Sequence, residues 1–244
     1  MPNSSPAIVT GASRGFGRAI AAALTAAGTA VVGVARDESA LELAGKELGE
    51  RFIAVAGDAT DEALAQRLIR EYQPGLLVLN AGAAPYLAPL PEQTWETFSR
   101  NWHSDTRQAF TWTQAALRAP LAPGSTVVLM SSGAAIAGSP LSGGYASAKA
   151  ALRYLRGYAA EESERAGLGV RFVALLPQLT PATGLGQAAV AGYAARQGVD
   201  PGAYVANLQP ILTPELVAAA VLAVAADPAS QPEYLVSGAG HRAL

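Results

Sequence analysis

The stretch Ala7-Ile8-Val9-Thr10-Gly11-Ala12-Ser13-Arg14-Gly15-Phe16-Gly17-Arg18-Ala19-Ile20 decides how the rest of the chain is read. A short apolar and β-branched run enters a turn carrying Gly11, Gly15 and Gly17, and an Ala-rich helical pattern follows as far as Ala27. A strand that is apolar at nearly every position is buried on both faces, as in a parallel sheet covered by helices. The same alternation recurs along the chain. Further strands are expected at Ala30–Ala35, Phe52–Ala56, Leu76–Leu79, Thr126–Met130, Val170–Leu176 and Glu233–Val236. Helices are expected at Gly15–Ala27, Glu38–Glu50, Asp61–Tyr72, Glu92–Arg118, Tyr145–Arg165 and Pro214–Ala226.

Strict β–α alternation predicts an α/β fold: one doubly wound Rossmann-type parallel sheet of about seven strands, flanked by helices. No repeat or low-complexity linker divides the chain, so a single domain is expected over residues 1–244. The segment Gln178 to Leu212 departs from the rhythm, with one weak helical pattern near Gly186–Arg196. In such a fold it lies at the carboxyl edge of the sheet, where ligands bind, and reads as a substrate loop or lid.

Composition removes several function classes. The 244 residues carry 17 Lys and Arg against 19 Asp and Glu, a formal net charge of −2. That balance gives no electrostatic case for a nucleic-acid partner or an anionic membrane. With no cysteine there is no disulfide, thiolate metal site or cysteine nucleophile. The two histidines, His103 and His241, have no neighbourhood suited to a metal or a hydrolase triad, so no metal is expected. The longest apolar run, Leu216 to Ala226, is about half of the roughly 20 residues needed to span a bilayer. Met1-Pro2-Asn3-Ser4-Ser5-Pro6 lacks the basic and apolar regions of an export signal, and a cytoplasmic location is the default expectation. Among the basic residues only Lys46 and Lys149 are lysines. A residue type used so rarely points to a task that arginine performs poorly.

Glycines in the turn from Gly11 through Ser13, Arg14, Gly15 and Phe16 to Gly17 let backbone approach a pyrophosphate, and the following helix offers free N–H groups to that anion. The spacing G-x-x-x-G-x-G is not the G-x-G-x-x-G of other dinucleotide folds. The second strand ends Val34-Ala35-Arg36-Asp37. An Arg in that place suits the 2′-phosphate of NADP, and Arg14 lies in the neighbouring turn. Asp37 reads instead as a ribose ligand if the strand ends one residue later. NADP(H) is therefore preferred, with NAD(H) possible.

Tyr145-Ala146-Ser147-Ala148-Lys149 begins a helical stretch, which puts the phenol and the ammonium group on one face. A nearby cation favours the phenolate, and a tyrosine tuned in this way can exchange a proton with a substrate oxygen. Ser132 ends the fifth strand, where its hydroxyl can hold that oxygen.

With these pieces the chain resembles the short-chain dehydrogenase/reductase family. The matching motifs are Thr10-Gly11-x-x-x-Gly15-x-Gly17, Gly57-Asp58, Asn80-Ala81-Gly82, Ser132 and Tyr145-x-x-x-Lys149. They follow the family's order from Ala7 to about Gly240. The resemblance implies Tyr145 as general acid/base, Lys149 on the nicotinamide ribose and Ser132 on the substrate oxygen. It places Asp58 and Ala59 along the adenine, and Asn80, Ala81 and Gly82 along the cofactor cleft. It also implies a homodimer or homotetramer packed through the helices that carry Asp105 and Tyr145.

Two departures stand out. The family's helical Asn falls by spacing on Asp105 rather than Asn101, and an Asp cannot donate an amide N–H. The family's Pro-Gly after the sixth strand is Pro177-Gln178 here, which loses easy access to positive φ. Thr180 and Thr183 both fit the nearby cofactor-contacting Thr. Ala83, Pro85, Ala134, Ile136, Leu141, Leu179 and Tyr193 are candidates for an apolar substrate pocket. The expected partner is a small or moderately apolar carbonyl compound and its alcohol. The alternative is a catalytically weak dinucleotide-binding sensor or scaffold of the same fold.

Overall fold

The structure is a computed structural model and describes residues 5–244. Most of the stretch read for an export signal, Met1–Ser4, lies outside these residues. Strands β1 (Ala7–Thr10), β2 (Val31–Ala35), β3 (Phe52–Ala56), β4 (Leu76–Leu79), β5 (Thr126–Met130), β6 (Arg171–Pro177) and β7 (Glu233–Ser237) pair in parallel. With β8 (Gly240–Ala243) they form one sheet in the order β3-β2-β1-β4-β5-β6-β7-β8. The central strands β1, β4 and β5 are buried at every residue, as the continuous apolar reading requires. Exposed positions fall on the two edge strands, β3 and β8.

Side chains alternate between the two faces of the sheet. Ala7 and Val9 of β1 pack with Ile20 and Leu24 of α1 (Gly15–Ala26) and with Val217 and Val221 of α10 (Pro214–Ala226). Helix α2 (Glu38–Leu48) adds Leu41 to that layer. Ile8, between them, faces Leu68 of α3 (Glu62–Tyr72), Trp112 of α5 (Arg107–Arg118) and Leu152 of α7 (Gly143–Arg165). Strand order reverses at β1, which lies between β2 and β4. A crevice therefore opens beyond the carboxyl ends of β1 and β4.

One strand is added and two helix expectations need correction. The seven expected strands pair in parallel, and an eighth, β8, returns antiparallel to β7 after the two-residue turn Gly238-Ala239. Gly240-His241-Arg242-Ala243 has no apolar run to announce a strand. The long helix expected at Glu92–Arg118 is interrupted. Thr94 and Thr97 form a capping box that starts α4 at Trp95, and α4 (Trp95–Asn101) gives way to a π turn over Trp102–Thr106 before α5 begins. The segment after β6 holds two helices, α8 (Gly184–Gln197) and α9 (Pro201–Ala206), where one weak helix was expected. A short α6 (Ala134–Ala137) follows β5.

Arg171 closes the lower end of this layer. Its guanidinium donates to the carbonyls of Val224 (3.3 Å), Ala225 (3.1 Å) and Asp227 (2.6 Å), and to the Ser230 and Thr126 hydroxyls (2.6 Å each). The terminal carbonyls of α10 thus receive donors that the helix itself cannot supply. Arg171→Ala should cost about 2–3 kcal/mol in urea denaturation, the scale of hydrogen bonds to a charged group. A loss under about 0.5 kcal/mol would place Arg171 among ordinary surface residues.

Candidate active site

The turn after β1 is built against the turn after β4. The Thr10 hydroxyl accepts the backbone N–H groups of Asn80 (2.9 Å) and Ala81 (3.0 Å), and the Asn80 amide donates to the Thr10 carbonyl (3.0 Å) and the Gly11 carbonyl (3.3 Å). Gly11 has φ +69°, and a Cβ there would lie 2.9 Å from Ala81 Cα. Only glycine permits this approach. Gly17 is the predicted cofactor residue that the structure keeps out of the cleft. It is buried, and a Cβ would lie 2.1 Å from the Gly11 carbonyl oxygen. It lets α1 pack under the turn rather than touch a ligand.

The other predicted residues come together. Gly11, Ser13, Arg14, Gly15, Phe16, Arg36, Asp58, Ala59, Asn80, Ala81, Gly82, Asp105, Ser132, Tyr145, Lys149, Pro177 and Thr180 all line one cleft of about 2140 Å³. Ordinary ligand pockets hold roughly 300–1,000 Å³, so there is room for a dinucleotide and a second molecule. Of the expected substrate-pocket residues, Ala83, Pro85, Ala134, Ile136, Leu179 and Tyr193 line it too. Leu141 does not; it is buried behind the wall, its N–H donating to the Tyr193 hydroxyl (3.2 Å).

The cleft fits an anion at one end. Helix α1 starts with no side-chain cap at Arg14 and no acidic residue in its first turn. Helices α2, α3, α9 and α10 are capped by Asp37, Asp61, Asp200 and Thr213. The free N–H groups of α1 are a seat for a pyrophosphate. Asp37 lines the cleft beside Arg36, and its Oδ1 caps α2 by accepting the Ala40 N–H (3.0 Å). Asp58 is held below the usual carboxylate range chiefly by the Thr60 backbone N–H, against a lesser push from burial. The Thr60 hydroxyl and the charges of Arg36 and Arg107 add to the lowering.

At the other end sits the acid–base set. Lys149 is buried on α7, with its ammonium group 2.9 Å from Asp105 Oδ2, 3.0 Å from the Met130 carbonyl and 5.6 Å from the centre of the Tyr145 ring. Burial works to lower the Lys149 pKa, but the charge of Asp105, the Tyr145 hydroxyl and the Asp105 hydrogen bond together leave it above its ordinary value. Tyr145 is half-buried. Ser132 Oγ accepts the Ala134 N–H (3.2 Å), so its proton is free for another acceptor. Ser131, which the sequence did not single out, ties β5 to α7 by donating to the Lys149 carbonyl (2.7 Å).

Asp105 does not serve as a neutral helix contact; it is an ion-pair partner. Asn101, which spacing set aside, belongs to the same cluster: its amide donates to the Ala83 carbonyl (2.8 Å) and to Asp105 Oδ1 (3.2 Å). Gln178 keeps ordinary backbone, because the only non-glycine residue with positive φ among those described is Gln73. Its N–H continues the β6–β7 ladder to the Val236 carbonyl (2.9 Å). Thr180 is buried with its hydroxyl spent on the Leu212 carbonyl, whereas Thr183 caps α8 through Gly186 N–H (3.1 Å) and its methyl group faces Gly15.

A family model described as short chain dehydrogenase matches residues 5–194. The chain belongs to the short-chain dehydrogenase family. Family members are oxidoreductases that use nicotinamide dinucleotides and act on small molecules. This short-chain dehydrogenase is 35% identical over 235 residues to cis-4-hydroxycyclohexanecarboxylate dehydrogenase of Sinomonas cyclohexanicum, covering 92% of this chain and 90% of that one. It is 32% identical over 186 residues to L-xylulose reductase of Bos taurus, covering 75% and 74%. The match to serine 3-dehydrogenase of Agrobacterium fabrum, 36% over 98 residues, covers only 37% of this chain and 39% of that enzyme. The crystal structure of a short-chain dehydrogenase from Streptomyces avermitilis superposes with a TM-score of 0.76 at 27% identity, covering 95% of this chain and 87% of that one. Among the described residues no helix is long and apolar enough to cross a membrane.

Proposed function

We propose that this dehydrogenase uses NADP(H) to interconvert a small or moderately apolar carbonyl compound and its alcohol, with Tyr145 as general acid/base. The observation that carries this reading is the convergence of Tyr145, Ser132 and a charged, buried Lys149 in the cleft that also holds Arg14 and Arg36. When bound, the nicotinamide supplies the two-electron chemistry. The chain's own residues do the rest. Ser132 directs its free proton to the substrate oxygen. Tyr145 delivers the proton in reduction and removes it in oxidation. Lys149 has three N–H donors and spends two, on Asp105 and Met130, leaving one for a ribose hydroxyl.

The test is a panel of ketones, aldehydes and alcohols followed by NADPH and NADH absorbance. Cyclic hydroxy acids belong in it, given the name of the near full-length relative. Stoichiometric NADPH binding without turnover across the panel would favour a dinucleotide sensor instead. Arg14 and Arg36 support NADP(H) over NAD(H). Arg36→Asp should therefore shift preference toward NADH by at least about tenfold in kcat/KM, the worth of one charge-assisted contact. An unchanged cofactor ratio would remove Arg36 from the phosphate site. Exposed Phe110, Tyr154 and Tyr158 on α5 and α7 support a homodimer or homotetramer, which sedimentation measures directly.

A further inference from the structure

The Asp105 carboxylate is surrounded by donors. Oδ1 accepts the Ala83 N–H (2.9 Å), the Ser104 hydroxyl (2.7 Å) and the Asn101 amide (3.2 Å), while Oδ2 faces the Lys149 ammonium (2.9 Å). An amide in its place would turn an N–H toward either Lys149 or the Ala83 and Asn101 donors, whichever way it lay. Gly82 leaves room for this arrangement, since a Cβ there would lie 2.6 Å from Oδ2. The site is built for an anion, and it differs in kind from the neutral Asn that the family resemblance leads one to expect.

We propose that Asp105 is a positioning residue that keeps Lys149 an ammonium ion fixed against the cleft, in a place where burial alone would favour the neutral amine. Lys149 meets few groups that could do this. Among the described residues, the π turn contributes Asp105, β5 contributes only the Met130 carbonyl, and α7 itself contributes Tyr145 one turn earlier. The opposing pressures on Lys149, burial downward and Asp105 upward, agree with this geometry. The π turn supplies the reach. It is pinned to α7 by the Thr106 hydroxyl on the Ala148 carbonyl (3.3 Å) and by the Trp102 indole on the Ser147 hydroxyl (3.2 Å).

The rarity of lysine makes the test direct. Protein labelled with ¹³Cε-lysine should show two resonances, and Lys46→Arg assigns them by removing the exposed one. In the parent protein, Lys149 should stay an ammonium ion to a higher pH than Lys46. In Asp105→Asn its midpoint should fall by about 2 pH units or more, below the upper limit of about 3–5 units for fully buried groups. If that variant does not fold, Asp105→Ser, which leaves space for a water, is titrated in its place. A parent Lys149 that discharges below Lys46, or a folded variant with an unmoved midpoint, would overturn the proposal. The consequence for proton transfer rests on Tyr145 as acid/base, but the titration does not. A shifted Lys149 in a protein that turns over no alcohol would uphold the role of Asp105 and refute the activity.

Discussion

Tyr145→Phe should lower turnover by about 10²–10⁴-fold, the usual worth of a positioned acid/base, while NADPH still binds in stoichiometric amount. The change removes one oxygen and keeps the ring. Tyr145 is half-buried at the start of α7, and the helix is held there by other groups, Ser131 on the Lys149 carbonyl and Thr106 on the Ala148 carbonyl. The fold and the glycine turn are therefore untouched. The loss should appear in kcat with little change in the KM for cofactor, because the interaction removed matters only as the proton moves. Near-normal turnover in this variant would end the proposed mechanism, since that mechanism routes the transferred proton through the phenol.

Lys149→Met should cost about 3–5 kcal/mol of stability, the penalty for removing one partner of a buried ion pair. Asp105 would then keep its three neutral donors but lose its one ion-pair partner among the described residues, at a site where its own side chain is buried. Asp105→Asn/Lys149→Met should recover most of the loss, because two neutral groups leave no stranded charge. The pH dependence follows from Lys149 standing above its ordinary 10.5 in the folded state. A raised folded pKa gives stability that is fully present below the unfolded value and disappears only as pH rises through the folded one. The gap between parent and variant should thus stay level across neutral pH and narrow in strong alkali. Denaturant midpoints at several pH values measure it, and a single variant as stable as the parent would refute the pairing.

The parallel sheet is legible in the chain because its central strands are apolar throughout and most strands are followed by a helical pattern. Those are local signals. Strand β8 was not legible, for Gly240-His241-Arg242-Ala243 becomes a strand only by borrowing the edge of β7. Nor was the break at Trp102–Thr106, where no glycine or proline interrupts the helical pattern; the turn is held by groups distant in sequence, Ala83 on Asp105 and α7 under Thr106. Spacing brought Asp105 forward, yet nothing in the spacing said that it would meet Lys149, because that contact joins the π turn to α7, far apart in sequence. Choosing between Asn101 and Asp105 was a false alternative. One turn apart, both side chains end in the same cluster. Leu141 was misplaced for the opposite reason: apolarity alone does not tell a pocket wall from the core behind it.

The π turn also carries a consequence for how the chain tolerates change in length. Such a turn holds one residue more than the α turn it replaces. Deleting one residue between Trp102 and Thr106 would remove the bulge and join α4 to α5 as one regular helix, with the flanking turns in register and the change confined to the side chains of the turn itself. Asp105 would leave Lys149, although the composition, the sheet and the glycine turn would all be unchanged. The reach of Asp105 toward Lys149 therefore depends on the number of residues in the turn as well as on their identity.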